Sequence, residues 1–329
     1  MLPYIVRRLV VMFGMLVALS IITFLLFYAL PRDPARLICG VHCTPDSLRA
    51  YREELGLDVP LVQQYLNWIH AIFFGKDISV GPFSIYCQAP CFGFSQDRGE
   101  MVFAAITRVM PVTAYLALGA FILWMSVGVT TGILAARFKG SIFDRGVMIT
   151  SLIGFSLPSF FIGLSFMIFV VVYWQLVPYP DYKPPTEDFG KFFSAMILPW
   201  ITLAILYAAY YTRLTRSQML DTMNEDFIRT ARAKGLPEKV VVRKHAFRAG
   251  LTPIVTSAGL DLAGLLGGAI ITERIFGLSG LGSVAITAVT KLDLPMLVAI
   301  TLLGAVFIVV ANLIVDILYA VIDPRVRIR

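Results

Sequence analysis

Few side chains in this 329-residue chain are of the kinds that make or break bonds. The three histidines, His42, His70 and His245, are scattered, and no Ser/His/Asp set or H-E-x-x-H motif includes them. No G-x-x-x-x-G-K-[ST] run is present to cradle a phosphate. The four cysteines form two Cys-x3-Cys pairs, Cys39 with Cys43 and Cys87 with Cys91. Four cysteines allow three pairings; the local ones, 39–43 and 87–91, are expected, provided the segment lies in an oxidising compartment. Cys39, His42 and Cys43 could otherwise hold a metal, but a fourth ligand is lacking, so no metal site is expected. Asp261 stands alone inside an apolar run. A charge there is costly, so it either lines a polar pathway or is a protonated or paired structural group. The chemistry on offer is therefore passage rather than catalysis. Energy for transport has to come from an ion gradient or from another polypeptide.

The elements that must position these groups are membrane spans. Hydrophobic residues make up 58% of the chain, and the mean hydropathy is +0.79. Repeated apolar runs of this kind indicate a polytopic membrane protein. The net charge of +7 is not interleaved with base-stacking aromatics, which excludes nucleic acid as partner. Six spans are expected, within 9–30, 106–138, 146–175, 192–211, 251–272 and 294–322. The third is interrupted by Ser156-Leu-Pro-Ser159, where proline removes a donor and kinks a helix. Gly128 and Gly132 permit close helix packing in the second. The first, preceded by Arg7 and Arg8, is longer than the apolar core of a signal peptide and is read as retained.

Charge orients the chain. Residues 31–105 carry six Lys/Arg against eight Asp/Glu, whereas 213–248 carry nine Lys/Arg against four Asp/Glu. Basic loops stay inside, so both termini and 213–250 are expected in the cytoplasm and 31–105 outside. The division is then 1–30, tail and first span; 31–105, an external insert; and 106–329, a core of five spans. Within the insert, 44–56 reads as a capped helix and 62–74 as an amphipathic one, with Tyr65, Ile69 and Ile72 suited to a membrane surface.

The inner loop contains a polar helix over 224–235. Asn224 is expected to cap it and Gly235 to end it. Phe227, Ala231 and Gly235 fall on one side, one large residue followed by small ones that would let another protein approach. On the outside, Gly277-Leu-Ser-Gly-Leu-Gly282 is too rich in glycine for a span. Glu273 and Arg274 read as a boundary anchor, and Asp316, close to the inner interface, as the structural partner of a basic loop residue.

Arg229-Thr-Ala-Arg-Ala-Lys-Gly235 followed by Arg243-Lys-His-Ala-Phe-Arg248 resembles the cytoplasmic "EAA" loop of binding-protein-dependent ABC importer permeases. The variant is similar to the B-type subunit of the dipeptide/oligopeptide/nickel group. Ser156-Leu-Pro158, Leu198-Pro199, Arg213-Leu-Thr-Arg216, the 277–282 turn and Asp316-x-x-Tyr319-x-x-x-Asp323-Pro-Arg325 extend the resemblance over nearly the whole chain. The loop's opening Glu-Ala-Ala is here Arg229, Thr230 and Ala231. The resemblance implies an all-α type I permease of six spans in the bacterial plasma membrane. It implies a second permease subunit, an external solute-binding protein and two ATP-binding subunits, the latter holding ATP and Mg2+, so that no cofactor belongs to this chain. It implies that Phe227, Ile228, Arg229, Thr230, Ala231, Arg232, Ala233, Lys234 and Gly235 meet an ATPase. Gly277, Leu278, Ser279, Gly280, Leu281 and Gly282 would meet the binding protein. An ion-gradient carrier or channel is the alternative and would show inverted internal repeats, of which none is evident.

Overall fold

The computed structural model describes residues 2–29, 59–80 and 83–322, together with 35, 44–46, 48, 49 and 52. The expected helix over 44–56 therefore falls largely outside the described residues, as do Cys39, His42, Cys43 and the tail beyond 322. Five described helices are long and apolar enough to cross a membrane, and six if one sharply bent pair counts as a span.

Helix α1, Leu2–Phe24, runs on as a π-helical turn, Leu25–Ala29. Helix α2, Leu61–Phe74, follows in the insert. Its apolar face does not simply lie on a membrane surface: Tyr65 and Trp68 pack with Phe24 of α1, and the Tyr65 hydroxyl bonds Ser20 Oγ at 2.7 Å. Two small antiparallel sheets then depart from the all-helical expectation for the insert. Strands β1, Lys76–Val80, and β2, Phe83–Cys87, form the first; β3, Phe94–Ser95, and β4, Glu100–Met101, form the second. Ile78, Cys87 and Cys91 make a small core between them, with Phe94 and Met101 packed against it. Neither sheet has the long alternating pattern by which a strand is recognised.

Helix α3, Val102–Arg137, and helix α6, Phe189–Met223, are the central pair. Glycine lets them touch: a Cβ on Gly132 would lie 2.6 Å from Thr215 Cβ, and one on Gly128 2.8 Å from Tyr211 Cβ. Around this seam Leu116, Trp124, Met196 and Tyr211 are wholly buried. Between them in sequence come α4, Ile142–Ser156, and α5, Ser159–Ser165, which continues as a π-helical stretch, Phe166–Tyr173. The expected kink is a right-angled break of 94°. Leu157 before the proline is extended, as a residue in that position must be.

Helix α7, Asp226–Ala233, is the short inner helix. Helix α8, Glu238–Leu266, begins well before the expected 251 and contains a π-helical stretch, Val241–Ala246. It ends at Gly267 and Gly268 rather than at 272, and the chain turns through α9, Ile270–Ile275, and α10, Leu281–Lys291. Helix α11, Leu294–Ile322, is the last and has the expected bounds.

Candidate functional site

Three places could do the work, one at each depth. At the inner end, α7 is amphipathic over only eight residues. Ile228 is fully buried and Ala231 nearly so, in a cluster with Ala136 of α3, Met219 of α6, and Val241 and Ala246 of α8. Full burial of a side chain such as Ile228 is worth roughly 2–3 kcal/mol, enough to hold a helix too short to be stable alone. Asn224 does not cap it. Asn224 closes α6, and Glu225 occupies the capping position without a side-chain bond. The tight turn 222–225 leaves no room for a separate capping residue, because Glu225 N–H already bonds Thr222 O at 3.1 Å. Gly235 ends the helix at φ +76°, where a side chain is strained. Arg232 is forked onto Glu238 at 2.7 and 3.1 Å, which ties α7 to the start of α8.

The expected contact face is thus divided. Phe227, Arg229, Thr230, Arg232, Ala233, Lys234 and Gly235 are exposed, while Ile228 and Ala231 face their own chain. A period of i, i+4 did place Phe227 near Ala231, but burial of Ile228 rotates the helix so that Ala231 points inward.

At the outer end, the turn 277–282 exposes only Gly277 and Ser279; Leu278, Gly280, Leu281 and Gly282 are buried. Glu273, expected as a boundary anchor, is fully buried beneath it. Thr113 Oγ1 donates to Glu273 Oε1 at 2.8 Å, and the Ser283 N–H donates to Oε2 at 2.8 Å. The Leu281 N–H donates in turn to Thr113 Oγ1, also at 2.8 Å. One carboxylate therefore satisfies the free donors at the start of α10 and joins them to α3. Gly280 is glycine because a Cβ there would lie 2.5 Å from Thr113 Oγ1 and from Glu273 Cδ. Arg274, the other half of the expected anchor, is exposed. Nearby, Asp293 holds the insert: it is bonded by Ser95 Oγ and accepts from the Met296 N–H at 3.3 Å. Burial pushes its carboxyl above the usual carboxylate range, with the Ser95 bond opposing.

Within the spans, Asp261 accepts from Tyr211 Oη at 2.6 Å. Tyr207 stacks on Trp124 with ring centroids 4.5 Å apart, and Trp124 lies against Tyr211 at 6.4 Å. Two further carboxylates are paired. Asp144, at the start of α4, takes two bonds from Arg216 of α6, at 2.6 and 2.7 Å. Breaking so buried a pair costs about 3–5 kcal/mol. Asp316 of α11 meets Arg8 at 2.8 Å, a basic partner that lies on helix α1 rather than in a loop as expected.

Sequence reasoning missed the Asp144–Arg216 pair and the buried role of Glu273. A local signal existed for part of the first: Ser141 followed by Asp144 is a helix start, and Ser141 Oγ does accept from the Asp144 N–H at 3.1 Å. The partner, 72 residues on, has no local signature. Cys87 and Cys91 are joined by a disulfide. Among the described residues, no group of three or more His, Cys, Asp or Glu is placed to hold a metal ion.

Comparison with known proteins gives the family to which these elements belong. Residues 128–328 match the family described as "Binding-protein-dependent transport system inner membrane component", and residues 1–117 match its N-terminal part. A protein of Brucella abortus (strain 2308) named as a permease of a peptide transport system is 37% identical over 323 residues, covering 98% of each chain. A dipeptide transport system permease protein of Escherichia coli (strain K12) is 35% identical, covering 99% of each. Among solved structures, the methionine ABC transporter MetNI in an inward-facing form aligns with a TM-score of 0.51 at 17% identity. That match covers 67% of this chain and 97% of that one. At this identity it speaks for the fold alone.

Proposed function

The chain belongs to the family of binding-protein-dependent transport system inner membrane components, and from that membership we propose the following working arrangement. It is a permease subunit of an ATP-driven importer in a bacterial plasma membrane, with both termini and 213–250 inside and 31–105 outside. Its solute is a peptide or peptide-like molecule, as the names of its relatives suggest. It forms the pathway with a second permease subunit. An external binding protein delivers solute to the outer surface, around Gly277 and Ser279 and the insert. Two ATP-binding subunits lie beneath α7 and carry the nucleotide and Mg2+. This chain hydrolyses nothing and holds no cofactor.

The observation that carries this reading is the seating of α7. A helix with its apolar side fixed among the inner ends of α3, α6 and α8, and its polar side free, can take a push from a partner and pass it to three long helices at once. Phe227, exposed at the start of α7, is the residue best placed to enter a partner's groove. Coupling of this kind needs two sites that bias one two-state element, and α7 joins them. Asp261, on the α8 side, is a group for the solute to pass.

The test is reconstitution. The tagged chain is purified from its host with whatever co-purifies, placed in liposomes with the external binding protein, and supplied with labelled dialanine. ATP-dependent uptake, with two nucleotide-binding proteins in the complex, is expected. Uptake driven by a proton or sodium gradient without nucleotide would overturn the proposal.

A further inference from the structure

Among the buried or partly buried carboxylates of the described residues, Asp261 is sparingly satisfied. Asp144 has Arg216 on both oxygens, Asp316 has Arg8, and Glu273 has donors on both oxygens. Asp261 has one neutral donor, the Tyr211 hydroxyl, on Oδ2. Among the described residues no Lys, Arg or His pairs with it. Nor is it sealed away, since it is partly exposed on α8.

Its surroundings are aromatic. Tyr211 donates to it from α6; Tyr207, one turn earlier on the same side of that helix, stacks on Trp124. Tyr210 meets Tyr211 edge to face, with centroids 5.2 Å apart. Behind them the Trp124 N–H is buried and has no hydrogen-bond partner among the described residues, although buried donors are nearly always paired. A partly exposed carboxylate with a spare acceptor on the same side as a partly exposed tyrosine is a combination that attracts organic cations: the carboxylate supplies charge and a hydrogen bond, and the ring of Tyr207 adds quadrupole attraction. An anion would meet repulsion at the same place.

We propose that Asp261, positioned by the Tyr211 hydroxyl and flanked by the partly exposed Tyr207, is a binding point inside the membrane that favours solutes carrying a basic side chain over those carrying an acidic one. This rests on the permease reading above and adds a charge preference to it. The preference sits in the permease and acts after whatever selection the external binding protein makes.

The experiment compares uptake of Ala-Lys and Ala-Glu by the reconstituted complex, in wild type and in Asp261→Asn, with one preparation of binding protein. Selection upstream cancels in the ratio of ratios. The Ala-Lys to Ala-Glu ratio is expected to fall about tenfold in Asp261→Asn, the size of one good cation site. It should be retained in Asp261→Glu and fall about threefold in Tyr207→Leu, which removes a ring but no charge. An unchanged ratio, or a parallel loss of both peptides, would overturn the inference while leaving the permease reading intact. If wild type takes up neither peptide with ATP, both fall. Should Asp261→Asn fail to assemble, Tyr207→Leu and Asp261→Glu decide the matter by the same ratio.

Discussion

Single residues here do their work by being satisfied or by being left unsatisfied. Glu273 was legible in sequence only as a charge near a boundary; its bonds from Thr113 and Ser283, with Thr113 itself held by the Leu281 N–H, join residues that no local pattern brings together. Asp261 was legible as an oddity, because a lone carboxylate in an apolar run is rare, but its tyrosine and tryptophan neighbours lie on other helices. Asp293 yields a testable pH dependence. Burial raises its carboxyl in the folded chain, so the folded state binds the proton more readily than the unfolded chain does. Its contribution is fully present below the ordinary carboxylate range and is lost as pH rises through the raised value. The β3–β4 hairpin, held through Ser95, is therefore expected to open more often as pH rises from the ordinary carboxylate range through the raised value. Hydrogen exchange of residues 94–101, corrected for the intrinsic rate, reads this directly. Protection that does not change with pH, or that changes equally in Asp293→Asn, would refute it.

At the scale of elements, apolar length was the reliable signal. Runs of about 20 apolar residues located every long helix, and the last was matched to the residue. What length could not give was where a helix runs on into water. The inner extension of α6 and the early start of α8 are polar, and their helicity is set by packing with α7. The two small sheets of the insert are held by a disulfide-linked core of three residues, too small for a sequence pattern. For α7 the division into inward and outward faces makes two substitutions one position apart behave differently. Phe227→Asp, on the exposed side, is expected to leave the permease folded and cut ATP-driven uptake by more than tenfold. Ile228→Ala, on the buried side, is expected to cost about 2–4 kcal/mol of local stability, seen as faster hydrogen exchange across 224–246. Equal effects of the two on both readouts would contradict the orientation of α7.

For the whole molecule, the long helices are joined at their two ends by unlike devices: charge and hydrogen bonds at one, where Glu273 and Asp293 tie loops to α3 and the insert, and the hydrophobic seating of α7 at the other. Family membership could be read from the order of many weak motifs along the chain, since no single one was specific. The uninterrupted helix α6, of 35 residues, is roughly 52 Å long, against a hydrocarbon layer of about 30 Å. In the assembled complex, spin labels at Phe193→Cys near its outer end and Ile85→Cys in the insert are expected to change separation by about 4 Å when ATP is added. No change on ATP addition would mean that α6 does not tilt as a unit. The length matters because, in the proposed arrangement, α6 would be an oar with its blade and its handle in different compartments: a swing of roughly 5° at the α7 end would become an arc of roughly 4–5 Å at the other, so that a modest motion of partners beneath α7 would part side chains at the far end of the bundle.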